Sequence, residues 1–337
     1  MTIVVRKILF VWFMLVTGMV KSGNFYPITL IDLGRDTNYI TDKSEVFYFR
    51  LFLLNKYNRL ELSEIEHDKK LYLYPNDITN IGIGFNYKWI GLSLSVPFVN
   101  KDENIYGKTK RFDFQVNTYG RTIGFDAYLQ HYQGFYIQNV NRLVAWTSDV
   151  YPILPDMQTY SMGMNIYYIA NNKRFSYRSV FLHNEIQSKS AGTLIYGGGW
   201  SLNFGNSPTH FLSQNVQLVR QYDSIFNLAA YKVFNLAVAV GYAHTFVIGK
   251  RFFIHLSVLP KVGPSTITSI VSENNKASTS SIGRLTGGGD LRLAIGGEYP
   301  FLYWGITGIM TTYNYKIKNW EIEPSVGNIK IFVGKQF

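Results

Sequence analysis

The stretch "IGIGFNYKWIGLSLSV", residues Ile81 to Val96, decides how this chain folds. Ile81, Ile83, Phe85 and Tyr87 alternate with Gly82, Gly84, Asn86 and Lys88. After a bend at Trp89 the apolar series resumes as Ile90, Leu92, Leu94 and Val96 against Gly91, Ser93 and Ser95. A period of two belongs to β-strands, so the stretch reads as one hairpin with an apolar face and a small or polar face. Its apolar face can meet either a protein core or lipid, and the rest of the chain has to choose between them.

The pattern recurs along the sequence. Phe112, Phe114 and Val116 alternate with Asp113, Gln115 and Asn117, Gly120 and Arg121 turn the chain, and Ile123, Phe125, Ala127 and Leu129 alternate with Gly124, Asp126, Tyr128 and Gln130. Met162 to Tyr168 lead to a turn at Asn171 to Lys173 and an expected return strand with Phe175, Tyr177 and Phe181 on one face and Arg178 on the other. Leu236, Val238, Val240, Tyr242 and Phe246, then Phe252, Ile254, Leu256 and Val258 opposite His255 and Ser257, form another pair about Gly249 and Lys250. Leu291, Leu293 and Ile295 oppose Asp290, Arg292, Gly296 and Glu298, and after Tyr299 and Pro300 the return carries Leu302, Trp304 and Ile306. The final strand sets Ile329, Ile331 and Val333 against Lys330, Phe332 and Gly334 and ends at Phe337. Acids, arginines and glycines keep returning to one face, which is therefore wet while the other is greasy.

The N-terminus reads differently. Residues 1–23 place Arg6 and Lys7 before an uncharged run from Ile8 to Val20 and a small residue at Ser22 or Gly23, the three parts of a secretory signal peptide. That run is shorter than the roughly 18 to 20 residues a membrane-crossing helix needs, and no later stretch approaches that length. Residues 24–337 are expected to form a single domain. The chain carries a formal charge of +11, or +8 without the signal. Its basic residues are dispersed, which speaks against nucleic acid as a partner. It has no cysteine, which excludes disulfides and thiolate metal sites, and its 25 Tyr and 24 Phe suit broad strands and membrane interfaces.

These readings converge on an all-β fold, a transmembrane up-and-down antiparallel barrel of about 12 to 14 strands in the outer membrane. Short turns are expected at Lys88, Gly120, Asn172, Gly249 and Tyr299, and long outer loops at Asn55 to Asn76, Gln138 to Gln158 and Val262 to Arg284. Outer-membrane lipid is then the first partner, the barrel assembly machinery, reading the terminal Phe337, the second, and other envelope proteins meeting the long loops the third. A secreted β-sandwich also alternates, but its exposed face would be rich in Lys and Glu, and here it is not.

Three stretches carry a resemblance: "NNKRFSYRSVFLHNEIQSKSAGTLIYGG", Asn171 to Gly198, with Tyr74 to Leu94 and Tyr106 to Tyr136. They are similar to a family of Gram-negative bacterial proteins classified only as a domain of unknown function. Phe175, Ser176, Tyr177, Arg178, Glu185, Gln187, Lys189, Ser190, Ala191 and Gly192 match its most distinctive part. The resemblance implies a signal peptide and an outer-membrane barrel and carries no activity.

Candidate functional residues follow from the wet face. Asp113, Gln115, Asp126, Gln130, Arg178, Asp290 and Arg292 are expected to line the lumen, with Glu298 and Lys330 beside them. Charges there either pair and stiffen the interior or select solutes. The leading expectation is a conduit or binding barrel for a small or amphipathic molecule, and the alternatives are a closed structural or assembly barrel and a lipid-acting hydrolase. For the last, Ser190, His183 and Glu185 are the only nearby set. No nucleophile motif surrounds Ser190, so Ser190 to Gly192 reads as a turn and His183 as an interfacial side chain, and neither catalytic residues nor an enzyme is expected. The six histidines show no ligand spacing, so no metal and no cofactor is expected. Gly197 to Gly199 and Gly287 to Gly289 read as bulges or close backbone approach, because neither leads into a helix.

Overall fold

The computed structural model describes residues 34–87, 90–207, 211, 227–249, 251–273, 276–317 and 319–337. The signal peptide expected at residues 1–23, its boundary, and the turn residues Lys88, Trp89 and Lys250 lie outside the described residues. The elements are β1 (Ile40–Asp42), β2 (Tyr48–Glu64), β3 (Lys69–Pro75), β4 (Ile78–Tyr87), β5 (Ile90–Asn100), α1 (Glu103–Tyr106), β6 (Lys110–Tyr119), β7 (Ile123–Ile137), α2 (Val140–Leu143), β8 (Ile153–Ile169), α3 (Tyr177–Phe181), β9 (Glu185–Gln187), β10 (Ala191–Asn206), β11 (Leu228–Ile248), β12 (Phe252–Glu273), β13 (Lys276–Glu298), β14 (Leu302–Ile317) and β15 (Trp320–Gln336).

Thirteen of these strands form one antiparallel sheet. Ten close into a ring in the order β2, β3, β7, β8, β10, β11, β12, β13, β14, β15, and β15 returns to β2 from Trp320 opposite Glu64 to Gln336 opposite Tyr48. The other three hang on the ring: β4 on the first half of β2, β5 on β4, and β6 on Gly124 to Gln133 of β7. The short pair β1–β9 stands apart from the sheet. Among the described residues no helix is long and apolar enough to cross a membrane. The described strands close into an antiparallel β-barrel of the transmembrane class.

Ring strands are long, from 15 residues in β7 to 23 in β13, leaving β3 aside. A tilted strand crosses a bilayer in about 9 to 11 residues, so the barrel continues beyond the membrane, and its patterning changes on the way. On the half that holds Tyr48 and the C-terminus, the apolar side chains point out. Ile81 and Ile83 are exposed, as are Leu236, Val238, Ile306, Ile331 and Val333, while Ser257 and His255 are buried inside. On the other half the sense reverses. Leu60, Leu62, Leu71, Leu73, Ile267, Tyr315, Ile317, Trp320 and Ile322 fill the interior. Along β15 the outward positions pass from Val333, Ile331 and Ile329 to Ser325, Glu323 and Glu321 without a break in register. One barrel is thus inside out where it meets lipid and an ordinary soluble barrel above it.

That reversal corrects two expected loops. Asn55 to Asn76 is mostly β2 and β3, and Val262 to Arg284 mostly β12 and β13. Both stretches look polar because their outward residues face water above the membrane, yet their inward residues keep the period of two. The 138–152 stretch does leave the sheet, and contains α2.

The expected return strand after Asn172 is also corrected. Phe175 to Phe181 does not pair with β8. Ser176 Oγ accepts from the Ser179 N–H and caps the short helix α3, and β9 follows. The whole excursion folds into the barrel end, where Phe175 and Tyr177 are buried with Tyr119, Tyr167, Ala243 and Leu259. The true return strand is β10, which already includes Ala191 and Gly192, so the turn expected at Ser190 to Gly192 shrinks to Ser190, whose Oγ accepts from the Val247 N–H at 2.9 Å.

Candidate functional site

The lumen is filled in three layers. The upper layer is the apolar cluster just described. Below it lies a band of charge. Arg292 on β13 donates to Asp126 on β7 and stands 3.7 Å from Asp290, and Lys261 on β12 donates to Asp290 at 2.6 Å and to Asn165 at 3.2 Å. Thr311 donates to the same Asp290 oxygen, and Asn117 donates to Asp126 at 2.6 Å. The Arg292 guanidinium also lies over the rings of Tyr167 and Tyr177, at 4.9 Å and 5.9 Å. Two cations and two carboxylates compensate each other, as charges removed from water must.

The glycine triplets make this band possible. Gly197 to Gly199 and Gly287 to Gly289 sit in continuous register with their neighbours, so they are not bulges. They are sites of close approach, as the sequence allowed. A Cβ on Gly197 would stand 2.9 Å from Tyr167 Cβ, and one on Gly288 would stand 2.8 Å from the Tyr313 ring. Tyr167 and Asn165 lean into the groove that the missing side chains leave.

A second polar group gathers around Asp113 on β6. Its carboxylate accepts from Lys56 at 3.0 Å, from Gln115 at 3.0 Å, from Gln130 at 2.9 Å and from the Tyr132 hydroxyl at 2.6 Å, and Asn328 donates to Gln115 at 3.1 Å. This ties β6 and β7 across the lumen to β2 and β15.

The lower layer is a plug made of residues 35–47 and 170–190, joined by the β1–β9 pair. Glu185 is its centre. Its carboxylate pairs with Arg35, lies 3.0 Å from Arg178, and accepts from Ser176. The plug is tied to the wall by Asn86, which donates to the Leu182 carbonyl at 2.6 Å, and by Arg50, which donates to the Phe181 carbonyl at 3.3 Å. His183 is wholly buried, with ring centroids of Tyr303, Phe332 and Phe253 at 4.8, 5.0 and 6.0 Å. Burial pushes its imidazole down to about 3, and the nearby Arg50 charge pushes the same way. The expectation of an interfacial His183 is therefore corrected: the excursion that carries it folds inward. Ser190 bonds to the Val247 backbone, whereas His183 packs among aromatic rings, so the two do not form one polar cluster.

Of the seven expected lumen residues, six lie on barrel strands among the interior hydrogen bonds, and Arg178 does not line the wall but belongs to the plug. The structure brings together Asp126, Asp290 and Arg292 in one group and Asp113, Gln115 and Gln130 in another, and it places Arg178 with Glu185 in the plug. Missed were Lys261, Lys56, Arg35 and Arg50, whose positions on a period-two face were available but whose partners lie on distant strands. A cavity of about 380 Å³ remains at the lower mouth, lined by Lys43, Gln187, Arg251, Phe253, Glu298 and Tyr299 among others. Among the described residues, Glu64, Glu66 and His67 at the β2–β3 turn are the only set placed to hold a metal ion. His67 bonds to Glu64 at 2.9 Å and Asn319 donates to Glu66 at 3.0 Å, the bonds of a stapled turn.

Comparison with known proteins adds the following. A family model described as "Domain of unknown function (DUF4421)" matches residues 34–337. Among curated proteins there is no significant match. Among solved structures the chain is similar to the outer membrane protease OmpT of Escherichia coli, with a TM-score of 0.41 and 10% identity over 88% of this chain and 98% of that one. It is similar to the toluene transporter TodX of Pseudomonas putida, with a TM-score of 0.25 and 8% identity over 90% and 94%. It is similar to the outer membrane protein OprG of Pseudomonas aeruginosa, with a TM-score of 0.23 and 10% identity over 88% and 97%. At these scores the likenesses lend no argument about activity.

Proposed function

We propose, for a chain that belongs to the DUF4421 family of unknown function, that it is a binding barrel closed to bulk flow, which takes up a small or amphipathic molecule in the lower half of its lumen. The observation that carries this is the layering. An apolar core seals the upper half and a compensated charge band seals the middle, while space is left at the lower mouth between plug and wall. Location in the outer membrane of a Gram-negative cell, export by the N-terminal signal, and insertion through recognition of Phe337 belong to the same reading. Phe337 is exposed at the end of β15, its N–H donating to the Phe47 carbonyl at 2.9 Å.

Planar-bilayer recording of the folded barrel, checked by heat-modifiable gel mobility, tests the closed state. No steady current is expected, and a steady current would overturn the reading. Native mass spectrometry after mild detergent extraction tests the binding. A small molecule retained by the barrel supports it. The same filled lumen favours a second reading, a closed structural barrel of an envelope complex; a barrel with no retained molecule and a stoichiometric protein partner would select that instead.

A further inference from the structure

The wall is not closed between β5 and β6. Among the described residues β5 pairs with β4 alone and β6 with β7 alone, while above them β3 joins β2 directly to β7. A slit is left in the lipid-facing half. Its top is stitched shut around α1, where the Asn76 amide donates to the Gly107 carbonyl at 2.8 Å and Thr109 donates to the Gly134 carbonyl at 2.7 Å. Every residue from Leu92 to Val99 is exposed, inward Ser93 and Ser95 included, as befits a strand with an open flank. Unpaired backbone groups are costly in hydrocarbon, which is why spanning sheets close on themselves.

Behind the slit stand cations without counter-charges. The inner face of β2 carries Arg50, Phe52, Leu54 and Lys56, and Lys330 of β15 pairs opposite Leu54. Lys56 is matched by Asp113, but among the described residues neither Arg50 nor Lys330 has a carboxylate within ion-pair distance. Arg50 is only 6% exposed, and its Nε has no partner. Its Nη2 reaches Ser93 Oγ on β5, at the slit itself, at 3.3 Å. Lys330 Nζ lies over the Phe52 ring at 5.1 Å. In the charge band Lys261 and Arg292 have Asp290 and Asp126, and in the plug Arg35 and Arg178 have Glu185, whereas Arg50 and Lys330 have no such partner, so this pair calls for an anion.

We propose that the gap between β5 and β6 is a lateral entrance through which an anionic amphipath passes from the membrane into the lower lumen. Its chain lies along Leu94, Val96 and Phe98 of β5 and Phe112 and Phe114 of β6, and its head group meets Arg50 and Lys330. This rests on the binding reading above and adds the ligand's charge and its route. A carboxylate and a phosphate head group share the required chemistry.

The test is photolabelling of the folded barrel in phosphatidylcholine vesicles with three diazirine probes: a long-chain fatty acid, its methyl ester, and a lysophosphatidic acid. Adducts are mapped by mass spectrometry. The anionic probes are expected to label residues 92–98 and 112–116 at least tenfold more than the ester does. Labelling by the fatty acid alone identifies a carboxylate head, by the lysophosphatidic acid alone a phosphate head, and by both a site that reads charge only. The preference is expected to vanish in Arg50→Gln with Lys330→Gln and to survive in Arg50→Lys. Adducts spread evenly around the apolar belt, or a second copy of the chain cross-linked at β5, would overturn the proposal on the wild-type barrel alone. Equal labelling inside the lumen by acid and ester would overturn the proposal and leave the binding reading standing. No lumen adduct from any probe would overturn both.

Discussion

Arg50 on β2 donates to Ser93 on β5 across the intervening strand β4, at 3.3 Å, and Gly84 is what lets it pass. A Cβ at residue 84 would stand 2.8 Å from both Arg50 Nε and Ser93 Oγ. The same guanidinium holds the Phe181 carbonyl of the plug. One side chain thus links the plug to the strand that borders the open seam.

Gly84→Ala is therefore expected to displace Arg50 and to lower stability by about 1 to 3 kcal/mol, the usual cost of overpacking. Urea unfolding in vesicles reads the loss. A variant as stable as wild type would show that Arg50 has another low-energy path to β5.

In the charge band, removing one partner leaves the others uncompensated. Arg292→Met leaves Asp126 without its cation and Asp290 with Lys261 alone, and breaking a buried pair in this way costs about 3 to 5 kcal/mol. Adding Asp126→Asn restores the balance of charge and is expected to recover much of the loss. A double variant no more stable than Arg292→Met would show that packing of the guanidinium between Tyr167 and Tyr177 outweighs its charge.

The plug is expected to loosen in acid. Because folding depresses the His183 pKa to about 3 from an ordinary value near 6.5, the folded state holds the neutral ring and the unfolded plug binds the proton more readily. The stabilisation is fully present above about pH 6.5 and is lost as pH falls toward 3. Trypsin cleavage within 35–47 and 170–190 should therefore rise between pH 7.5 and pH 5. His183→Asn, which suits the positive φ of 61° at that residue, should flatten the profile. An unchanged acid slope in that variant would assign the titration to another group.

Glu185→Ala strips both Arg35 and Arg178 of their carboxylate partner and removes the acceptor of Ser176. The plug should become protease-sensitive while the barrel stays heat-modifiable. Because the apolar layer above is untouched, no ion current is expected even then. Steady current in this variant would show that the plug is the sole seal.

Much of this was legible in the sequence. Ile81, Ile83, Leu92 and Leu94 point outward as their period of two required, and Asp113, Asp126, Asp290 and Arg292 point inward. Register from strand to strand was not legible, because it depends on which inward residues meet across the lumen: nothing local joins Lys261 to Asp290 or Lys56 to Asp113. Phe175 to Phe181 alternates as a strand would, and only the Ser176 cap and the aromatic pocket it enters make it part of a plug. The reversal above the membrane hid β3 and the ends of β12 and β13, since polar outward residues there look like loop.

That reversal yields the sharpest test of where lipid ends. On β15, Ile331 and Ser325 both face outward, three outward positions apart, and one lies on the apolar belt while the other begins the polar zone. An arginine on the lipid face near the bilayer centre costs about 2 to 4 kcal/mol and near its edge about 0 to 1. Ile331→Arg should thus lower the unfolding free energy in vesicles by about 2 to 4 kcal/mol, and Ser325→Arg by about 1 or less. Neither side chain packs inside the lumen, so the contrast measures the solvent outside. Equal costs at the two positions would move the upper membrane boundary to or beyond Ser325, and negligible cost at both would put β15 outside lipid altogether.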